Sequence, residues 1–182
     1  MAVTDELLAN NDAFAASFDK GDTPMPPARK VAVVPCMDAR LHVSKLLGLD
    51  VGDAHIIRNA GGVVSDDAIR SLVISQRLLG TEEIILIHHT DCGMLTFNDD
   101  AVKAQINADT GIRPPFALEA FADVDEDVRQ SIARVRASPF IPHRNNLRGF
   151  VYDVKTGRLR EVQGGDVAAN GASGGIPQAA VR

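Results

Sequence analysis

The chain has 182 residues, of which 45% are hydrophobic and 24% are charged, and this composition is typical of one folded globular domain rather than a disordered chain. Its 19 Lys and Arg residues are outnumbered by 24 Asp and Glu residues, so the net charge at pH 7 is −5, and only 4% of its residues are aromatic. We therefore expect neither a basic surface nor an aromatic platform for nucleic acid.

The sequence also argues against membrane insertion and secretion. No apolar run approaches the roughly 20 residues that a membrane-spanning helix needs. Residues 1–11 lack the basic and apolar regions of a signal peptide, so we expect a cytoplasmic protein. Because the cytoplasm is reducing, Cys36 and Cys92 are not expected to form a structural disulfide, and they need another explanation.

Strand and helix patterns alternate along the chain, which predicts an α/β fold with an open, mostly parallel sheet flanked by helices. Runs rich in β-branched residues predict strands over residues 30–35, 55–58, 84–87, 149–154 and 159–162. Helical spacing and capping residues predict helices over residues 4–18, 40–47, 65–80 and 124–135, and a helix with an irregular excursion within 97–122. The last two strands predict an antiparallel hairpin at the edge of the sheet.

The chain divides into three predicted parts. Residues 1–27 form an N-terminal helical arm with a Pro-rich linker, and residues 28–162 form the α/β domain. Residues 163–182 are rich in Gly and Ala and are predicted to be a disordered tail. A helix set apart by a stiff linker packs either on a partner subunit or on its own domain, and the sequence leaves both possibilities open.

Three residues with metal-binding side chains follow predicted strands. Cys36 ends the first strand, and His89 and Cys92 follow the third. If the strand order is 2-1-3-4, these strands flank the crevice at the carboxyl edge of the sheet, and the three residues converge there. Two thiolates and an imidazole suit zinc, and three protein ligands leave an open position that is typical of catalytic zinc. The alternative is that each Cys is an inert buried thiol.

Asp38 and Arg40 lie just beyond the first of these ligands. A carboxylate beside an open zinc site can accept a hydrogen bond from a zinc-bound hydroxide, or it can become a fourth ligand that closes the site. Arg40 favours the first role, because a two-pronged hydrogen bond would hold Asp38 off the metal and keep it ionised. The alternative is an Asp at a helix N-terminus and a solvated Arg.

Two residues beside the candidate ligands are given other roles. His88 precedes His89 on the same strand, so its side chain should point to the opposite face, and we predict a core histidine whose hydrogen bonds are satisfied. Asp91 lies within the turn before Cys92, and we predict that it caps backbone amides.

Three motifs now make a family resemblance visible. Cys-Met-Asp-Ala-Arg at 36–40, Arg-Asn-Ala-Gly at 58–61 and His-His-Thr-Asp-Cys-Gly at 88–93 resemble those of the β-class carbonic anhydrases in order and spacing. The likeness spans residues 28–162. It implies the sheet order 2-1-3-4 with an antiparallel edge strand, and a homodimer or higher homo-oligomer whose N-terminal helices embrace the neighbouring subunit. This chain has Ala39 where many relatives have Ser, and it has no Trp for the regulatory bicarbonate site of some bacterial relatives.

The resemblance also implies a site and a reaction. Its members bind zinc through the residues that correspond to Cys36, His89 and Cys92, and they use a dyad that corresponds to Asp38 and Arg40. The implied activity is that of a lyase, the reversible hydration of carbon dioxide to bicarbonate and a proton by attack of a zinc-bound hydroxide. The same short subgroup resembles carbonyl sulfide hydrolases, which use the same hydroxide, and the motifs do not separate the two substrates.

Two further interpretations concern substrate contact and catalysis. Backbone amides around Gly61, Gly62 and Gly93 are expected to hold the small-molecule substrate, because Gly permits close approach. An alternative of another class is a non-catalytic zinc-binding regulatory domain in which Asp38 is a permanent fourth ligand. A phosphate-binding enzyme is the weakest alternative, since the chain has no Gly-rich phosphate motif.

Overall fold

The computed structural model describes residues 2–164, which form an α/β fold with one five-stranded sheet. Its helices are α1 (Val3–Ala15), α2 (Val43–Leu47), α3 (Asp66–Arg77), α4 (Asp99–Thr110) and α5 (Val124–Ala137). Its strands are β1 (Val31–Pro35), β2 (Ala54–Ile56), β3 (Glu83–His89), β4 (Leu147–Tyr152) and β5 (Leu159–Val162). Most of the predicted tail, residues 165–182, lies outside the described residues.

The sheet has the predicted order and direction. Its strands follow the order β2-β1-β3-β4-β5, with every neighbouring pair parallel except the antiparallel pair β4–β5. All five residues of β1 are buried, because helices cover both faces of the sheet. The fold-class prediction is therefore confirmed, including the antiparallel edge strand.

Side-chain alternation along the strands sorts the core onto the two faces of the sheet. Ala32 and Val34 of β1 belong to an apolar cluster with residues of α3 and α5. Val31 and Val33 belong to a second cluster on the opposite face, with residues of α2 and with both cysteines. The second face therefore carries the candidate metal ligands at one end of an otherwise apolar layer.

Helix ends follow the capping chemistry in the sequence. The Ser65 side chain accepts a hydrogen bond from the Ala68 amide at the start of α3, as its position predicts. The helix predicted from residue 40 is shorter, since α2 begins only at Val43. The reason is a turn in which the Asp38 carboxylate accepts the Arg40 backbone N–H at 2.9 Å. A local side-chain bond therefore competes with the helix at this point.

The N-terminal helix makes little contact with the remainder of the described chain. No residue of α1 is buried, and its exposed apolar side chains are Val3, Leu7, Leu8 and Phe14. Phe18, just beyond the helix, packs against Phe14 at a centroid distance of 5.4 Å, with the two rings tilted by 44°. No helix within residues 2–164 is long and apolar enough to cross a membrane.

The irregular segment between α4 and α5 is tethered by one carboxylate. Asp99, the first residue of α4, accepts backbone hydrogen bonds from Leu118 at 2.7 Å and from Ala120 at 3.0 Å. Its pKa is lowered, first by the Ala120 amide and further by those of Leu118 and Glu119. Glu119 has a φ of 63°, a conformation that L-residues rarely adopt, so these amides are held in a strained turn.

We expect Asp99→Asn to lower the free energy of unfolding by about 1 kcal/mol at pH 7, because a charge-assisted tether becomes a neutral one. Since the folded pKa is depressed, the contribution of Asp99 is present above the unfolded value near pH 4 and is lost as the pH falls through the folded value. Urea titrations at pH 7 and pH 3 measure the difference. Asp100→Asn is the control, since Asp100 is 91% exposed in its pair with Arg113. An equal effect at both pH values would contradict the prediction.

Candidate metal centre

Three side chains with metal-binding atoms meet at the carboxyl ends of β1 and β3. Cys36 directly follows β1, His89 ends β3, and Cys92 lies in the turn that follows. The ligand atoms of these three residues lie within 4.8 Å of one another, and all three residues are buried. The three residues, which were expected to converge if the strand order was 2-1-3-4, therefore lie together as a compact set of two sulfurs and one imidazole.

The register of the sheet explains this convergence. β1 and β3 pair in parallel with Pro35 opposite Ile87, and the Cys36 amide donates to the Ile87 carbonyl oxygen at 3.1 Å. Both strands therefore end at the same edge. His89 lies two residues beyond Ile87, so it continues the row of side chains on the face that holds both cysteines.

One nitrogen of the His89 ring is available for a ligand. Nδ1 lies 2.9 Å from the carbonyl oxygen of Thr90, so Nδ1 carries the proton. Nε2 is buried and has no hydrogen-bond partner among the described residues. Burying a nitrogen without a hydrogen-bond partner costs free energy. This nitrogen and the two cysteine sulfurs together form a set of donor atoms that zinc prefers. The residues of this cluster therefore fit a zinc ion.

The pKa values of the two cysteine thiols are shifted in opposite directions. The pKa of the Cys36 thiol is lowered, chiefly because Cys92 donates a hydrogen bond to its sulfur, and also by contact with His89 and by the backbone amides of Asp38 and Gly61. Burial acts against this shift. The pKa of Cys92 is raised because it shares its proton with Cys36. The cluster thus stabilises a thiolate before a cation enters, and a divalent cation would stabilise the second thiolate as well.

The Asp38 carboxylate borders the cluster and is gripped by Arg40. Arg40 Nε donates to Asp38 Oδ1 at 2.9 Å, and Arg40 Nη2 donates to Asp38 Oδ2 at 2.8 Å, which is the two-pronged contact expected from the sequence. These bonds hold the pKa of Asp38 well below its usual range. Asp38 Oδ2 lies 3.7 Å from His89 Nε2, so an ionised carboxylate stands beside the three ligand atoms without being one of them.

The same guanidinium connects the two loops that carry the candidate ligands. Arg40 Nη1 donates to Asp91 Oδ2 at 2.7 Å, and Nη2 donates to the Asp91 carbonyl oxygen at 2.9 Å. The prediction that Asp91 caps backbone amides is therefore wrong. Asp91, with a φ of 56°, is a partner of Arg40, and the two lie 51 positions apart, so no local spacing in the sequence could have revealed the contact.

His88 lies on the opposite face of β3, as predicted, but its hydrogen bonding is only half satisfied. The residue is fully buried, and Nε2 lies 2.6 Å from Asp127 Oδ2 on α5. Its ring packs against Phe121 at a centroid distance of 5.8 Å, whereas Nδ1 has no partner among the described residues. His88 thus links β3 to α5. The prediction that the hydrogen bonds of His88 are satisfied is wrong for Nδ1.

The structure gives reasons for glycine at positions 61 and 62 that the sequence did not reveal. Gly62 has a φ of 74°, and a Cβ built there would lie 2.8 Å from both the Cys36 nitrogen and the Ile87 carbonyl oxygen. The Gly62 amide donates to the Asn59 carbonyl oxygen at 3.3 Å, and the Gly61 amide contributes to the lowered pKa of the Cys36 thiol. These amides are engaged within the protein, and substrate contact by Gly61 and Gly62 stays a prediction.

Comparisons with known proteins agree with the geometry. The family model for carbonic anhydrase matches residues 31–116, the range that contains the cluster and the Asp38–Arg40 pair. Beta-carbonic anhydrase 1 of Mycobacterium tuberculosis is 60% identical over 162 residues, which cover 89% of this chain and 99% of that relative. The crystal structure of a carbonic anhydrase from Streptococcus mutans is 46% identical with a TM-score of 0.84, covering 90% of this chain and 99% of that one.

A second group of relatives bears another name. A carbon disulfide hydrolase of Acidithiobacillus thiooxidans is 38% identical over 157 residues, which cover 75% of this chain and 78% of that relative. Its identity is well below that of the mycobacterial relative, which also matches along nearly its entire length. On these similarities and on the arrangement of its site, the chain belongs to the β-carbonic anhydrase family of lyases.

Proposed function

We propose that this protein catalyses the reversible hydration of carbon dioxide to bicarbonate and a proton, with a zinc ion held by Cys36, His89 and Cys92. The observation that carries the proposal is the buried cluster of two sulfurs and an unpartnered imidazole nitrogen, in a chain 60% identical to a β-carbonic anhydrase. A zinc ion bound there would lower the pKa of a bound water towards neutrality and so supply a nucleophile near pH 7.

Asp38 is the residue that orients the attacking oxygen. A carboxylate offers about four acceptor sites, and three are taken by Arg40, through its backbone N–H, Nε and Nη2. The remaining acceptor site is on Oδ2, the oxygen 3.7 Å from His89 Nε2. Because Asp38 stays ionised, this oxygen can only accept, so it turns a water or hydroxide with its proton towards Asp38 and a lone pair towards the carbon of the substrate.

The hold of Arg40 on Asp38 weakens the non-catalytic alternative. A permanent zinc-ligand role would require the Asp38 carboxylate to leave the position in which Arg40 holds it, because Asp38 is not among the residues whose ligand atoms form the cluster. Substrate contact is best sought near Gly93, which is exposed and where a Cβ would meet no atom within 4 Å.

Assembly and location belong to the same proposal. The α/β domain of residues 28–162 would act within a homodimer or higher homo-oligomer in which residues 1–27 pack on a neighbouring subunit. The support is that α1 buries no residue against the described chain while exposing Leu7, Leu8 and Phe14. We propose the cytoplasm as its location, because a reducing compartment keeps both free cysteines available for zinc.

A second candidate function is hydrolysis of a sulfur-containing analogue of carbon dioxide at the same centre. Four relatives named carbon disulfide hydrolase are 35–38% identical and align with 72–86% of this chain. Carbonyl sulfide and carbon disulfide both present an electrophilic carbon to the same nucleophile. The site geometry favours none of the three substrates, so only the 60% identity to a carbonic anhydrase ranks carbon dioxide first.

One preparation tests both functions. We expect one zinc per chain, rapid carbon dioxide hydration by stopped flow, complete loss of activity after chelation and recovery on adding zinc. Sulfide release from carbonyl sulfide and carbon disulfide is measured in parallel. Sulfide release with negligible hydration would replace the first function with the second. Full hydration activity without any metal would overturn both, and zinc binding without either activity would support the regulatory domain.

Removing the orienting carboxylate should slow turnover. We expect Asp38→Asn to lower kcat/KM for carbon dioxide roughly 10–100-fold, because Asn presents both donors and acceptors to the attacking oxygen. Asp91→Asn should cost only about twofold to fivefold, since Asp91 is 73% exposed and Arg40 keeps its bonds to Asp38. Zinc content is the control in both variants. The reverse order of effects would show that Asp38 does not orient the nucleophile.

The assembly proposal has its own test. We expect the protein to have at least twice the mass of one chain by light scattering at micromolar concentration. The double variant Leu8→Asp with Phe14→Asp should reduce this to one chain, because it places charges on the apolar side chains of α1. Asn10→Asp with Asn11→Asp adds the same charge to exposed polar positions and should leave the assembly unchanged. A monomeric wild-type protein would disprove the proposal.

A further inference from the structure

Arg58 reaches from the end of β2 to the loop that follows β1. Its Nε and Nη2 donate to the carbonyl oxygen of Cys36 at 3.2 and 2.9 Å, and Nη2 also donates to the carbonyl oxygen of Asp38 at 2.8 Å. These two residues supply the first candidate zinc ligand and the carboxylate beside it. One guanidinium therefore holds the backbone on both sides of Met37, whose own side chain is exposed.

The backbone of β2 does not donate to these two carbonyl oxygens. Regular pairing with β1 reaches Val33 opposite Ile56, and beyond it only an isolated bridge joins Cys36 to Asn59, with the Met37 amide donating to the Asn59 carbonyl oxygen at 2.7 Å. The chain then turns into a 3₁₀ turn at Ala60–Gly62. Because Cys36 is buried, its carbonyl oxygen needs a donor, and the Arg58 side chain supplies what a longer β2 would have supplied.

Arg58 differs in this respect from the other arginine at the site. Arg40 pairs with the carboxylates of Asp38 and Asp91, whereas Arg58 makes no ion pair within residues 2–164. Its observed bonds all go to main-chain oxygens. The planar guanidinium can bond two carbonyls at once, which the single ammonium of a lysine does with much poorer geometry. The arrangement is therefore suited to fixing a backbone direction rather than to neutralising a charge.

We propose that Arg58 is a positioning residue of the metal centre, which sets the direction of the backbone at residues 36–38 and thereby the placement of the Cys36 sulfur and the Asp38 carboxylate. The inference rests on the proposed function in taking the ion to be zinc. Arg58 acts only through these two residues. Outer-shell groups of this kind typically change metal affinity or activity 10–100-fold when removed, about the range expected here.

The test compares three variants. Arg58→Met removes the donors while keeping an unbranched side chain, and Arg58→Lys keeps the charge without the fork. Arg77→Met is the matched control, because Arg77 also donates from an exposed position to a backbone carbonyl, that of Phe140 at 2.7 Å, outside the site. Zinc affinity is measured by competition with a chelator, and the ligand geometry by the absorption bands of the cobalt-substituted protein.

We expect Arg58→Met to lose zinc affinity roughly tenfold or more and to change the cobalt spectrum, with kcat for carbon dioxide hydration falling more than KM rises. Arg58→Lys should recover only part of the affinity. Arg77→Met should match the wild type in affinity and spectrum. Metal-free Arg58→Met should melt at a temperature a few degrees lower, because the carbonyl oxygen of Cys36 loses its donor, but it should remain fully folded at the temperature of the zinc and activity measurements. These outcomes separate positioning of the ligands from a general loss of stability.

A metal-free measurement keeps this proposal independent of the proposed function. Hydrogen exchange of the Met37 amide should become faster in metal-free Arg58→Met and stay unchanged in Arg77→Met, whatever ion or substrate the protein uses. Wild-type protein that binds no zinc would refute the proposed function. The exchange rates would still test whether Arg58 fixes the backbone at residues 36–38. Wild-type affinity, spectrum and exchange in Arg58→Met would overturn the proposal, and so would full recovery by Arg58→Lys.

Discussion

The parallel pairing of β1 and β3 is the constraint on which the candidate metal centre depends. Parallel strands end at the same edge, so two loops far apart in sequence begin side by side, one with Cys36 and the other after His89. Full burial of β1 and apolar contacts on both faces fix the register of this pair. A slip of one residue would move His89 to the face that now holds His88, and the cluster would be lost.

The centre also concentrates more acidic groups than local cations can balance. The centre has four acidic groups, the two thiols and the carboxylates of Asp38 and Asp91, whereas the local cations are Arg40 and Arg58, which keeps its charge while it donates to carbonyl oxygens. Arg40 satisfies the carboxylates, which leaves the thiols to share a proton. A divalent cation would reduce this imbalance, and the bonds from Arg40 hold Asp38 outside the cluster of ligand atoms. Charge balance and geometry therefore point to the same occupant.

Much of this arrangement was predictable, and the exceptions have a common cause. The strands and helices follow from periodicity, and the contact of Arg40 with Asp38 follows from a short spacing. The strand order, on which the convergence of Cys36, His89 and Cys92 depends, was implied by the family resemblance. The partners of Asp91 and His88 lie on distant segments, Arg40 and Asp127, and no pattern within a window of the sequence encodes such pairs. The helix predicted from residue 40 begins only at Val43, and here the cause is local. The Asp38 carboxylate accepts the Arg40 backbone N–H and so competes with helix formation.

Gly62 limits which substitutions this protein can accept next to the cluster. Even a methyl group at this position would press on the backbone of Cys36 on one side and of Ile87 on the other, at the point where their strands part. Neither obstacle is a side chain that could rotate away, and the positive φ adds strain for every L-amino acid. Every larger residue at position 62 would thus displace backbone next to the cluster, whereas the exposed positions 37 and 93 can change at little structural cost.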